Sequence, residues 1–267
     1  MTGEEERFRN IADSSGYLFQ LGVEEKIRRT QQVHGWQWIL REHAWSNTAT
    51  GDHGFIDLVI RKLFGVRVVH AVIECRRRRD ATWVFPIAPE ISSGRMAERE
   101  VVALAANPES EGLKVRPVQF AVEPESHQSE FCSMHGTERT RTLEQWSSDL
   151  LVALDAFAVQ TIEIHRSSIM EEGRQWAFIP VMVTTARLVV CEVEVGGVDL
   201  ATGNLASGEF TEVPWVRFHK PLSVKLEGIS ESTTFDDLRR QGERTIFVVN
   251  AFHLSNVLGS WKMGGIR

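Results

Sequence analysis

The stretch "HGFIDLVIRKLFGVRVVHAVIECRRRRDATWVF", His53 to Phe85, constrains the fold more than any other part of the chain. Two runs rich in branched apolar residues, "FIDLVIRK" and "VRVVHAVIEC", are separated only by "LFG". So short a link predicts an antiparallel β-hairpin. Each arm carries a carboxylate in apolar surroundings, Asp57 on the first and Glu74 on the second. Side chains alternate across a strand, so Phe55, Asp57 and Val59 share one face of the first arm. His70, Val72, Glu74 and Arg76 share a face of the second, and Cys75 points the other way with Ile73. Burying one carboxylate in an apolar strand is unfavourable, and two near one site are worse unless a cation satisfies both. A hard divalent ion would do so, since Mg²⁺ is commonly held by one or two carboxylates with substrate phosphate and water.

The rest of the chain supplies a frame for this hairpin. The spacing of Leu18, Leu21, Ile27 and Val33 predicts a helix from Tyr17 to His34, ended by Gly35. "WQWILREHAW" and "ATWVFPI" read as strands on either side of the hairpin. A helix is expected around "RMAEREVVALAA", and a long one from Thr142 to His165, where Leu143, Trp146, Leu150, Leu154 and Phe157 recur at helical intervals. "WAFIPVMVTT", "RLVVCEVEV" and "EVPWVRFHK" read as later strands, and "RTIFVVNAFHLSNVLGSW" as a strand running into a short helix. Helix, three strands, long helix, then more strands make a mixed α/β fold around a central sheet. Residues 1–15 read as a polar, loosely held segment and 16–267 as one domain.

The residues "GFIDLVI…VIECRRR" resemble the core of the PD-(D/E)xK, or restriction-endonuclease-like, nuclease superfamily. Its pattern is an acid on the first hairpin strand and (D/E)-x-K on the second. Asp57 matches the first acid, Glu74 the second and Cys75 the x; Arg76 stands where the lysine normally is. A helix bearing a glutamate often precedes the hairpin, and "LGVEEKI" resembles it, with Glu24 the better match and Glu25 the reserve. The resemblance implies a restriction-endonuclease-like mixed central sheet flanked by helices, with extra C-terminal strands. It implies a Mg²⁺- or Mn²⁺-dependent nuclease acting on DNA, RNA not excluded. Asp57, Glu74 and the backbone carbonyl of Cys75 would hold the ion, Glu24 would assist through water, and Arg76 would act at phosphorus. Arginine forks well onto phosphate oxygens but is a poor proton acceptor. The departure therefore leaves a second reading open: a degenerate nuclease fold that binds nucleic acid or a partner protein without cleaving.

Charge distribution points the same way. Residues 55–85 hold seven basic and three acidic side chains on a chain of net charge −6, so the remainder carries −10. A local positive patch on an acidic body suits a protein that meets a polyanion at one place. Arg77, Arg78 and Arg79 are the expected phosphate contacts, although a solvated strand end would read the same. Likewise Asp57 alone would suit a partner of Arg61 or Arg67, and Glu24 beside Lys26 and Arg28 an ordinary solvated helix face. His127, Cys132 and His135 have zinc-like spacing but lack a fourth ligand nearby. His219 and Lys220 end a late strand where surface placement is the default. No phosphate-binding glycine loop and no nucleophile elbow occurs. No run of eighteen apolar residues exists, which argues against a membrane span. Three scattered cysteines favour a reducing, cytoplasmic setting. Association with a second copy or a partner protein stays open.

Overall fold

The computed structural model describes residues 3–46, 51–87, 99–105, 113–135, 141–172, 175–221 and 242–266. Three helices open the chain: α1 (Gly3–Ser14), α2 (Tyr17–Arg29) and α3 (Gln31–His34). Strands β1 (Gln37–Ser46), β2 (His53–Phe64), β3 (Arg67–Arg76) and β4 (Thr82–Ile87) follow. Next come β5 (Arg99–Ala105), β6 (Leu113–Glu123), β7 (Gln128–Ser129), β8 (Ser133–His135) and the long helix α4 (Leu143–Glu172). The chain continues through β9 (Gln175–Thr184), β10 (Arg187–Val193), β11 (Gly208–Glu212), β12 (Trp215–Pro221) and β13 (Glu243–Asn250). Helix α5 (Leu254–Ser260) and β14 (Lys262–Ile266) end the described part.

The fold is mixed α/β, with a large mixed sheet flanked by helices. Its main path runs β1-β2-β3-β9-β13-β12-β7. The hairpin β2–β3 is antiparallel, and β3 then pairs in parallel with β9, and β9 with β13. The turn between β2 and β3 is Gly65–Val66, with φ positive at Gly65, the geometry a two-residue hairpin turn demands. A second sheet, β11-β10-β4-β8, lies off this path. The strands after residue 185 thus divide: β10 and β11 belong to the second sheet, β12 and β13 to the first, and β14 pairs with β6.

Two apolar layers enclose the main sheet. One joins α4, through Trp146, Leu150, Leu154 and Phe157, with Val59 and Val72 of the hairpin and with Trp83 and Leu188 of the second sheet. The other joins Val23 and Ile27 of α2 and Leu254 and Leu258 of α5 with Leu58, Ile60, Ile73 and Cys75. Covered on both faces, β3 is buried without interruption from Arg67 to Ile73, as a central parallel strand requires.

Three sequence expectations need correction. Residues 3–14 form helix α1, an element not expected there, and it buries no residue. The helix expected from Tyr17 to His34 breaks at Thr30, whose hydroxyl caps back onto the Lys26 carbonyl at 2.7 Å; Gly35, at φ 72°, then ends α3. The helix expected around residues 95–106 is not formed in its described part: Arg99–Ala105 is strand β5, paired with both β6 and β9. Two ladder partners override a helix-like spacing there, and the β-branched pair Val101–Val102 suits the strand. The long helix kinks at its expected end, His165, whose backbone angles are non-helical, before continuing to Glu172.

Candidate active site

The site forms where the hairpin stops pairing. The β2–β3 ladder runs from Phe64↔Arg67 to Leu58↔Ile73 and ends. Asp57 and Glu74 are the next residues to face each other. In place of a backbone pair, an Asp57 carboxylate oxygen accepts the Cys75 N–H at 2.7 Å. The Asp57 carbonyl accepts from the Gln20 side-chain amide of α2 at 2.9 Å. Side chains thus satisfy the backbone groups that the end of the ladder leaves over. The alternation of β2 also breaks at this step. Ile56 joins the cluster of Val59, not that of Leu58 and Ile60, while Phe55 is 64% exposed. Phe55 therefore does not share a buried face with Asp57 and Val59, as strict alternation predicted.

A second irregularity sits beside the first. Glu42 of β1 lies opposite Asp57, between the pairs Arg41↔Leu58 and His43↔Ile56. Its φ is 50°, a left-handed value uncommon for a residue with a side chain. Such strain concentrates at functional positions.

The electrostatics follow from this crowding. Burial raises the Asp57 carboxyl above its usual range; the Cys75 N–H and the Arg76 charge oppose the rise, and Glu42 adds to it. Glu74 is pushed up to about 8, first by burial and then by the Asp57 charge, with Asp149 of α4 contributing. Arg76 forms an ion pair with Glu74, yet its charge does not outweigh burial and Asp57. Burial and mutual repulsion thus oppose the ionisation of both carboxyls together. Burial likewise keeps the Cys75 thiol protonated.

The arginines surround a separate recess. Arg76, Arg77, Arg78 and Arg79 line a cleft of about 340 Å³ with Cys75, Trp146 and residues of α1. The guanidinium carbons of Arg78 and Arg76 stand 4.4 Å and 5.6 Å from the Trp146 ring centre. That indole is backed by Trp83, stacked at 5.9 Å. Thr185 fixes the turn: its hydroxyl accepts the Arg78 N–H and donates to the Arg78 carbonyl, both at 2.7 Å. Asp57 and Glu74 are not among the lining residues, so Arg76 bridges the carboxylates and the cleft.

Glu24 is not brought to the pair. It is buried and held by Arg41 at 3.1 Å and Arg28 at 3.4 Å. Glu25 pairs with Arg29. Gln20, one turn before Glu24, is the α2 residue that reaches Asp57. His127, Cys132 and His135 do not assemble: among the described residues no three His, Cys, Asp or Glu stand close enough to hold a metal ion by side chains alone. His219 is buried, not superficial, with ring nitrogens toward Gln128 and Thr245.

Glu42, Asp149, Trp146 and the cleft-facing part of α1 escaped the sequence reading. Glu42 carried the same signal as Asp57, an acid inside a strand, but without a second motif residue beside it. Trp146 looked like one more core position of α4, which it also is.

No family model, no curated protein and no solved structure matches this chain. Among the described residues no helix is long and apolar enough to cross a membrane.

Proposed function

We propose that the chain is a metal-dependent nuclease of restriction-endonuclease-like architecture, hydrolysing phosphodiester bonds in DNA, with RNA not excluded. One observation carries the reading: two partly buried carboxylates face each other where β2 leaves β3, with an arginine against them. The donor set fits a hard divalent ion, Mg²⁺ or Mn²⁺. Asp57 and Glu74 would hold it. The N–H and C=O of one strand residue leave on the same side. The Cys75 carbonyl therefore leaves toward Asp57, as its N–H does, and would be the third donor. When bound, such an ion supplies positive charge at phosphorus and acidifies water.

The chain's own residues supply the rest. Arg76 neutralises charge on the phosphoryl oxygens; its buried Nε has no partner among the described residues. Arg77, Arg78 and Arg79 bind the neighbouring phosphates. Gln20 and the Cys75 N–H hold Asp57 in orientation. Three free, buried cysteines suit a reducing compartment such as the cytoplasm.

A second reading has its own observation. The Arg76–Glu74 pair already matches one carboxylate with one cation, as expected of a degenerate site that binds nucleic acid or a partner protein without cleaving. Cleavage of DNA and RNA strands with Mg²⁺ and with Mn²⁺, by wild type and Asp57→Ala, tests the choice. Metal-dependent cleavage lost in the variant supports the nuclease; tight strand binding without cleavage in either ion supports the binding module.

A further inference from the structure

One wall of the arginine cleft carries an acid, Asp13. Asn10, Asp13 and Ser14, spaced on one face of α1, line it together with Arg76 to Arg79. Asp13 stands 3.8 Å from the Arg79 guanidinium, with 39% and 56% of the two side chains exposed. An acid therefore occupies ground that a phosphate of a bound strand would need. The helix carries more acid in its first turn, at Glu4, Glu5 and Glu6, with Arg7 and Arg9 between that turn and Asp13.

The same helix is weakly held. Among its described residues none is buried, and Phe8 and Ile11 are mostly exposed. The hydroxyls of Ser14 and Ser15 bond to carbonyls of the segment itself, those of Ile11 and Ala12. A twelve-residue helix is marginal in water when nothing packs against it. Its position over the cleft thus rests largely on charge, and charge at an exposed pair is readily exchanged for a stronger anion.

We infer that α1 is a displaceable lid over the arginine cleft, in which Asp13 stands in for a phosphate until a nucleic-acid strand takes its place. The inference rests on the phosphodiester reading above and adds regulation to it. A polyanion bound at Arg77 to Arg79 repels Asp13, the acid that lines the cleft, so binding and lid opening are coupled. A clamp would do the opposite and tighten on the strand.

Two measurements on the full chain test this. The first is backbone hydrogen exchange over residues 3–14 without ligand, in wild type, Asp13→Asn and Asp13→Glu. The second is fluorescence anisotropy of a labelled twelve-nucleotide single strand, with exchange repeated on the bound protein. The lid requires faster α1 exchange in Asp13→Asn, wild-type behaviour in Asp13→Glu, and faster α1 exchange in wild type once the strand binds. Asp13→Asn should bind the strand about two- to fivefold more tightly, the range for losing one exposed competing ion pair. Slower α1 exchange on binding, or ligand-free exchange unchanged in Asp13→Asn, overturns the lid. Absence of binding by all three proteins overturns the phosphodiester reading and the lid's role with it. The ligand-free exchange distinguishes that outcome from failure of the lid alone.

Discussion

Replacing Glu74 with glutamine removes a proton-binding group and keeps the shape. In the folded protein Glu74 holds its proton to about pH 8, against an ordinary value of 4.5. Folding therefore favours the protonated form, and the stability from this proton is fully present below about pH 4.5. It is lost as pH rises toward 8, because in that window the unfolded chain binds fewer protons than the folded one. The slope is about 1.4 kcal/mol per pH unit. The whole span corresponds to on the order of 4–5 kcal/mol, shared with Asp57, since each carboxyl disfavours ionisation of the other. The assay is urea unfolding of wild type and Glu74→Gln at pH 5.5, 6.5, 7.5 and 8.5. Wild type should lose roughly 3 kcal/mol relative to the variant between pH 5.5 and 7.5, and the difference should flatten above pH 8. A difference independent of pH from 5 to 9 would mean that Arg76 alone satisfies an ordinary carboxylate. The argument that this pair calls for a cation would then fail.

Three further outcomes are expected. Asp57→Ala and Glu74→Ala should each abolish calorimetric Mn²⁺ binding with the fold intact by circular dichroism; unchanged affinity in both removes the metal site. In single-turnover cleavage, Arg76→Ala should lose on the order of 10²–10³ in rate, the range for one preorganised stabilising group, while Arg76→Lys keeps or raises the rate; equal rates in wild type and Arg76→Ala refute the role assigned to Arg76. Replacing Arg77, Arg78 and Arg79 together should weaken binding to all sequences alike and flatten its salt dependence by roughly 0.7–0.9 log units of slope per lost phosphate contact. A salt slope equal to that of wild type would leave them as a solvated strand end.

The hairpin and the placing of Asp57 and Glu74 inside its two arms were legible in the sequence; the register was not, because the expected link was "LFG", whereas Leu63 and Phe64 pair in the ladder and the chain turns at Gly65–Val66. A period-two pattern over two branched runs joined by a short glycine-containing link leaves the chain few other ways to bury them. The long helix over Trp146, Leu150 and Leu154 was legible for the same kind of reason, a sustained helical spacing of large apolar residues. What the sequence did not contain is where pairing stops. The break after Leu58↔Ile73 depends on Gln20 reaching across 37 residues to the Asp57 carbonyl and on the Asp57 carboxylate taking the Cys75 N–H. Those are long-range hydrogen bonds, which no local pattern encodes. Nor did it reveal that β5 would be drawn from a helix-like spacing into a strand by two ladders. Composition fixed a positive patch on an acidic chain. Only the tertiary structure set α1 and its Asp13 against that patch, because a polar helix with no buried face finds its place through charges supplied by distant parts of the chain.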